Sequence, residues 1–294
     1  SRPILQQVQD DQGPSLADGK GSGGTGLLKD QAHCPFRAFV HHRLSGRQLD
    51  KATVGLDAMT RGDLVHLVLE KLWKQLHDQQ TLLDLTEAEQ QSLLAELVSL
   101  SLDEYFASRT RPSAQLLLLE QERIELLLAD WLQSVERQRD PFQVVELEQE
   151  HLEQLGPLQI KTKVDRIDLL ADGSRVVIDY KTGANNKADD LLCAPLLEPQ
   201  LPIYAAAEQG TEADGVAFAQ VRRAECKLLG VVREKGLLGK VKALDAYKEA
   251  AERGLTDWEQ LLADWRSQLE GLADDFVAGQ AQVRPFDFDP WVVN

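Results

Sequence analysis

Cysteine is scarce in this chain of 294 residues, with three at positions 34, 193 and 226. They are too few and too scattered for a disulfide framework, which favours a reducing compartment, so a cytoplasmic location is expected. No run approaches the ~18 apolar residues of a membrane-spanning helix, so no membrane association is expected. The first two dozen residues lack the charged-then-apolar layout of a signal peptide. The single Met does not stand at the start, and the chain reads as an excised or processed piece. Positive charge is also in short supply, with 32 Lys and Arg against 48 Asp and Glu and a net charge of −16. Taken as a sum, that balance repels nucleic-acid phosphates. What remains, 43% hydrophobic and 27% charged residues, is ordinary for a globular chain of one large or two modest domains.

The charge is not evenly spread. Residues 80–155 hold 16 acids against 5 bases, whereas residues 29–61 hold six bases against three acids and residues 220–242 seven against two. Two basic stretches are therefore available to a polyanion. Residues 1–26 are polar and end in GKGSGGTG, which is expected to be a flexible lead-in. That segment lacks the spacing of a phosphate-binding Walker loop. Residues 27–140 carry helical periodicity. Pro35 opens one helix, and Leu64, Leu67, Val68 and Leu72 share one face of another over 59–77. Thr86 and Glu89 form a capping-box signature for a third, running to about Ser108. Pro112 leads into a long fourth, Leu116 to Arg139.

Near Asp140 the period changes from helical to alternating. Strands are expected at 142–152, 158–169 and 175–181, the last two joined by an Asp172-Gly173 turn. A helix over 199–209 and strands near 215–222 and 226–233 follow. A last helix over 256–278 carries Trp258, Leu261, Leu262, Trp265 and Leu269 on one side. Strands and helices in this order imply an α/β or α+β fold.

The informative segment is VDRID (164–168), then IDYKTG (178–183), then QLPIY (200–204). Neighbouring strands lie ~5 Å apart, so Asp165 and Asp179 can converge on one cation. Such hard oxygen donors suit Mg²⁺ or Mn²⁺. Lys181, two residues after Asp179, falls on the same strand face. A metal ligand beside a cation matches phosphodiester hydrolysis, although structural ion pairs give the same pattern. On the residues alone, His66 equally suits a packed helix face, and Gln200 and Tyr204 an ordinary amphipathic helix. Arg166 suits either a phosphate contact or an ion pair with Asp168.

VDRID, DYKTG and QLPIY, with RGDLVH (61–66) ahead of them, resemble the nuclease domain of the RecB and AddB type within the PD-(D/E)xK superfamily. The resemblance spans about residues 27–283, and QAHCPFRAFVHHRL is similar to the entry segment of AddB-like DNA-repair proteins. It implies a restriction-endonuclease-like core, with a central mixed sheet flanked by helices and a helical subdomain. The nuclease core would occupy 141–240, and C-terminal helices and tail over 241–294 would pack on the helical region of 27–140. His66, Asp165 and Asp179 become metal ligands, with the Tyr180 carbonyl as a fourth. Lys181 becomes the catalytic lysine, Gln200 and Tyr204 the QxxxY pair that positions it, and Glu148 an additional catalytic acid, with Glu146 and Glu150 as alternatives to it.

The activity implied is that of a metal-dependent deoxyribonuclease, acting as an exonuclease in DNA repair and recombination. DNA would run over Arg37, Arg43, Arg61, Arg166, Arg222 and Arg223. A helicase subunit or the rest of a longer chain is the expected partner. Many AddB-type domains hold an iron–sulfur cluster. Here only Cys34 occupies one of its places and residues 279–294 contain no cysteine, so no cluster is expected and Cys34 is expected to be a buried small residue. The competing reading is a nuclease-like domain that binds DNA or a protein without cutting. A purely structural acidic domain is a third.

Overall fold

The computed structural model describes residues 11–47, 55–184, 186–206 and 213–284. At its centre is a six-stranded mixed sheet in sequential order. The strands are β1 (Phe142–Leu155), β2 (Leu158–Leu170), β3 (Arg175–Lys181), β4 (Gly215–Gln220), β5 (Lys227–Val232) and β6 (Lys242–Ala243). β1, β2 and β3 form an antiparallel meander. β4 lies parallel to β3, reached by a crossover through helix α7 (Gln200–Ala206), and β5 returns antiparallel. Helices cover both faces, as the expected fold class requires.

Alternation along β3 assigns the two faces. Val176, Ile178 and Tyr180 turn towards a layer of α3 (Ala58–Leu76), α5 (Glu87–Tyr105) and α6 (Ala114–Ser134), where Trp73 and Trp131 are fully buried. Val177, with Val216, Phe218 and Val231, turns towards α1 (Thr25–His33), α7 and α9 (Trp258–Val277). The α9 stripe of Trp258, Leu261, Trp265 and Leu269 fills that side. The C-terminal helix therefore packs on α1, on α2 (Pro35–His42) and on α7. It does not join the α3–α6 layer, across the sheet.

Local chemistry sets the helix ends. Asp57 and Ser113 accept the backbone N–H groups of Thr60 and Leu116 at the starts of α3 and α6. Thr86 and Glu89 form the reciprocal capping box of α5, satisfying donors that the first turn leaves free. Three short elements carried too little periodicity to be foreseen: α4 (Gln79–Asp84), α8 (Lys248–Glu252) and the two-residue β6. Residues 207–209 of the helix expected at 199–209 lie outside the described residues.

The expected flexible lead-in is a correction for residues 11–24. Gly13 and Leu16 donate backbone hydrogen bonds to Gly279 and Val277, both at 2.8 Å, and Gly19 and Gly21 pair with Gln159 at 2.7 and 3.0 Å. The segment is pinned between the end of α9 and the β1–β2 turn because its glycines let the backbone approach closely. Residues 1–10 lie outside the described residues. Cys34, expected to be buried, is only half-buried at the start of α2.

Gly230 lies on β5 opposite Ala217, where an added methyl would sit 1.9 Å from the Val216 carbonyl oxygen. Gly230→Ala is expected to lower the unfolding free energy by about 1–3 kcal/mol through overpacking. Gly271→Ala, in α9 with open space around it, should instead raise stability by up to ~1 kcal/mol. Urea denaturation of both variants checks the pair of opposite signs.

Candidate active site

The ladder between β2 and β3 ends at Arg166 and Ile178. Beyond that pair the next backbone donor, Tyr180 N–H, is taken by Oδ2 of Asp165 at 2.8 Å. A side chain thus replaces a ladder bond, satisfying a buried N–H while holding a carboxylate at the mouth of the gap. Asp165 is 8% exposed and Asp179 1% exposed.

Helix α3 delivers His66 to the same place. A carbonyl can only accept, so Nε2–H donates to the Tyr180 carbonyl at 2.9 Å, and Nδ1 faces Asp165 Oδ2 at 3.4 Å. Glu148 completes the group: its carboxylate, His66 and Asp165 offer donor atoms within 4.8 Å of one another. Glu148 holds a left-handed φ of 49°, uncommon for a residue with a side chain. It follows a β-bulge between Val144 and Glu146, and its carboxylate pairs with Lys163. Glu146 is engaged elsewhere, by Arg175 at 3.1 Å.

Asp179 faces this group from β3. The Lys181 ammonium pairs with its Oδ2 at 2.6 Å, while its buried Oδ1 has no donor. Lys181 also donates to Gln200 Oε1 at 2.9 Å. Tyr204, one helical turn on, donates its hydroxyl to the Lys163 carbonyl and ties α7 to β2. All eight residues foreseen for the catalytic and metal roles, His66, Glu148, Asp165, Asp179, Tyr180, Lys181, Gln200 and Tyr204, border one open cleft of about 1210 Å³.

The charges in this cleft do not balance among themselves. Burial and the neighbouring Asp165 push the Asp179 carboxyl up to about 7, offset only in part by Lys181 and His66. Burial would lower His66, but Asp165, Asp179 and Glu148 carry its imidazole up to about 9. Burial also raises Glu148, Lys163 notwithstanding. Burial would raise Asp165 too, yet His66, the Tyr180 N–H and Lys181 hold it below the ordinary value. Lys181, lowered by burial but raised more by Asp179 and Asp165, keeps its proton. Burial is thus the first cause of the raised carboxyls of Asp179 and Glu148, and the neighbouring Asp165 adds to it. The donor-free Oδ1 of Asp179 and the oxygen and imidazole ligand atoms beside it fit a divalent cation.

The six arginines expected on DNA fare differently. Arg166 is a correction: it is fully buried, with its guanidinium against the rings of Trp73 and Phe142. It donates to Glu136 at 2.7 Å, to Asp168 at 2.5 Å and to the Tyr180 hydroxyl at 3.0 Å. Side chains on a strand alternate, so Asp165 faces the cleft and Arg166 the helical layer. Arg43 is also placed away from the cleft, against Phe39 and Phe276 and the carbonyls of Pro14 and Phe276. Arg37 pairs with Asp30, and Arg61 with Glu120. Arg222 and Arg223 are exposed on the turn after β4, at the same end of the sheet as Lys181, Arg222 pairing with Glu225.

Cations unforeseen from sequence line the cleft instead: Lys29, Arg109, Lys161 and Lys163. Lys161 and Lys163 sit four and two residues before Asp165, so strand alternation alone places all three on one face. No local signal links Lys29 or Arg109 to the cleft.

The profile of the PD-(D/E)XK nuclease superfamily matches residues 27–288. No curated protein matches the chain. Among solved structures, the chain is similar to one titled "Crystal structure of SSO0001", at 16% identity over 88% of this chain and 86% of that one, with a TM-score of 0.27. That score is too low to bear on fold or activity.

Removing the Arg166 side chain would leave Glu136 and Asp168 as buried charges without this partner. Arg166→Ala is expected to cost about 3–5 kcal/mol of stability, whereas Arg223→Ala should stay within ~0.5 kcal/mol. Denaturant titration separates the two, and a cost below ~1 kcal/mol for Arg166→Ala would contradict the structural role.

Proposed function

The chain belongs to the PD-(D/E)XK nuclease superfamily, and on that premise we propose that it is a divalent-metal-dependent deoxyribonuclease domain of the RecB/AddB type. One observation carries the reading. Asp179, buried with Lys181 against its Oδ2 and no donor on its Oδ1, faces Asp165, His66 and Glu148 across a gap. Superfamily members use divalent metals. We take Mg²⁺ or Mn²⁺ as the ion, since the donors are carboxylates and one imidazole. Bound there, such an ion supplies a Lewis acid for a phosphoryl oxygen and lowers the pKa of an attacking water.

The chain's own residues do the rest. Asp165, Asp179, His66 and Glu148 hold the ion, and the Tyr180 carbonyl lies beside them. Lys181 stays protonated, so it acts as a cation and donor and not as a base: it stabilises charge gathering on the phosphate as water adds and the 3′-oxygen leaves. Gln200 fixes the ammonium through its amide oxygen, and Tyr204 fixes β2 relative to α7. Lys29, Arg109, Lys161 and Lys163 offer a cationic lining to a DNA backbone in a chain that is acidic overall. The order of motifs, a His-bearing helix, two further long helices, then the strands, supports the RecB/AddB subtype. It also supports a role in DNA repair beside a helicase subunit or within a longer chain.

Labelled DNA digested with Mg²⁺, Mn²⁺ or EDTA tests the proposal. Cleavage is expected with either metal and not with EDTA, and Lys181→Ala should reduce the rate at least ~100-fold. Linear and closed circular substrates would separate exonucleolytic from endonucleolytic action. DNA binding without cleavage in any metal would instead support a binding module.

Lys161→Ala with Lys163→Ala should weaken binding across all sequences. It should also reduce the dependence of log K on log salt by about one to two, as loss of phosphate contacts does. Fluorescence anisotropy over a salt series measures both.

A further inference from the structure

A second cluster of metal-ligating side chains lies outside the cleft. Asp30 on α1 and His41 and His42 at the end of α2 present donor atoms within 4.8 Å of one another. Asp30 is 7% exposed, and a single oxygen, Oδ2, receives both rings: His41 Nδ1 at 2.8 Å and His42 Nε2 at 2.9 Å. The other oxygen, Oδ1, is held by Arg37 at 2.7 Å.

The tautomer of His42 makes the arrangement informative. Its Nδ1 lies 3.0 Å from the Ser22 carbonyl oxygen. A carbonyl only accepts, so Nδ1 carries the proton. In the neutral ring Nε2 then has a lone pair, and it faces a carboxylate oxygen, itself an acceptor. Such a contact needs a proton or a cation between the two atoms. A histidine that donates one ring N–H to a backbone carbonyl, leaving its other nitrogen for an ion, is oriented as metal ligands are. Ligands at ~2.0–2.2 Å from a tetrahedral ion lie ~3.4 Å apart, so the 2.8 and 2.9 Å separations need to open by about half an ångström to admit it.

We infer that Asp30, His41 and His42 form a second metal site, for Zn²⁺, distinct from the cleft. Two imidazoles and one carboxylate suit zinc better than magnesium, with water completing the tetrahedron. The ion would clip α1 to α2 and, through the Ser22 carbonyl, hold the loop that precedes α1. Gly23 in that loop has a φ of 116°, and an added methyl would stand 2.2 Å from His42 Nδ1, so the backbone is already drawn against the ring. Gly23, Gly24 and Thr25 border the cleft, which makes the clip a brace for one of its walls. This assignment does not depend on the chain being a nuclease.

The test uses the full chain with the cleft silenced by Asp165→Asn and Asp179→Asn. It is stripped with chelator, loaded with Zn²⁺, dialysed and assayed for metal by mass spectrometry. One Zn²⁺ per chain is expected, and Co²⁺ in its place should give the intense visible absorption of a tetrahedral site. Adding His41→Ala or His42→Ala should abolish both, weakening affinity by more than the roughly 10–100-fold that loss of an outer-sphere partner costs. Failure of the cleft-silenced protein to retain zinc would overturn the proposal and leave a hydrogen-bonded His–Asp cluster. So would retention unaffected by the histidine changes. Should the histidine variants not fold, the cleft-silenced protein decides alone, by zinc stoichiometry and by whether Co²⁺ shows the tetrahedral spectrum.

Discussion

The hydrogen bond from Tyr180 N–H to the Asp165 carboxylate is the interaction on which the site depends. Where β2 and β3 stop pairing, a backbone donor would be left buried and unsatisfied, a cost of about 1–3 kcal/mol. Asp165 removes that cost and is thereby held at low exposure beside Asp179. His66 secures the same residue from its other side, through the Tyr180 carbonyl. One residue between the two motif positions is therefore gripped at its N–H, its C=O and, through Arg166, its hydroxyl.

That third grip ties the cleft to the helical layer. Arg166 lies against two aromatic rings and satisfies Glu136, Asp168 and Tyr180 at once, while Arg139 supplies a second cation to Glu136 and Asp168 at 3.0 and 2.6 Å. Buried charges persist only when paired. Here the pairing joins the short helical turn after α6 to β2 and β3. The VDRID segment thus serves two faces: its first aspartate faces the cleft, and its arginine and second aspartate anchor the sheet to α3–α6.

Charge is sorted in the same way. The acidic excess of residues 80–155 is carried on α5, α6 and β1, and the cleft lining sets lysines of α1, β2 and β3 and an arginine just after α5 beside carboxylates of α3, β1, β2 and β3. A chain with a net charge of −16 can in this way gather cations at one opening. The Asp179 carboxyl there is raised first by burial and then by Asp165, more than Lys181 and His66 offset.

Much of this was legible in the sequence. The apolar run of Val176, Val177 and Ile178 marked β3, because a strand buried on both faces is continuous in apolar residues up to Asp179 and does not alternate. The spacing of Asp165, Asp179 and Lys181, and the one-turn interval of Gln200 and Tyr204, placed those side chains on common faces, since period and face are local properties. Arg166 was a different matter. Its neighbour Asp168 was foreseen as one partner, but Glu136, Trp73 and Phe142 come from distant segments, and nothing local says which side of a doubly covered sheet will be dry. Lys29, Arg109 and the convergence of Asp30 with His41 and His42 are of the same kind. Local periodicity, turn chemistry and motif order determined the main elements, the fold class and the candidate residues that line the cleft. Tertiary packing alone decided which charges meet, because contact between residues far apart in the chain depends on how the layers close over the sheet.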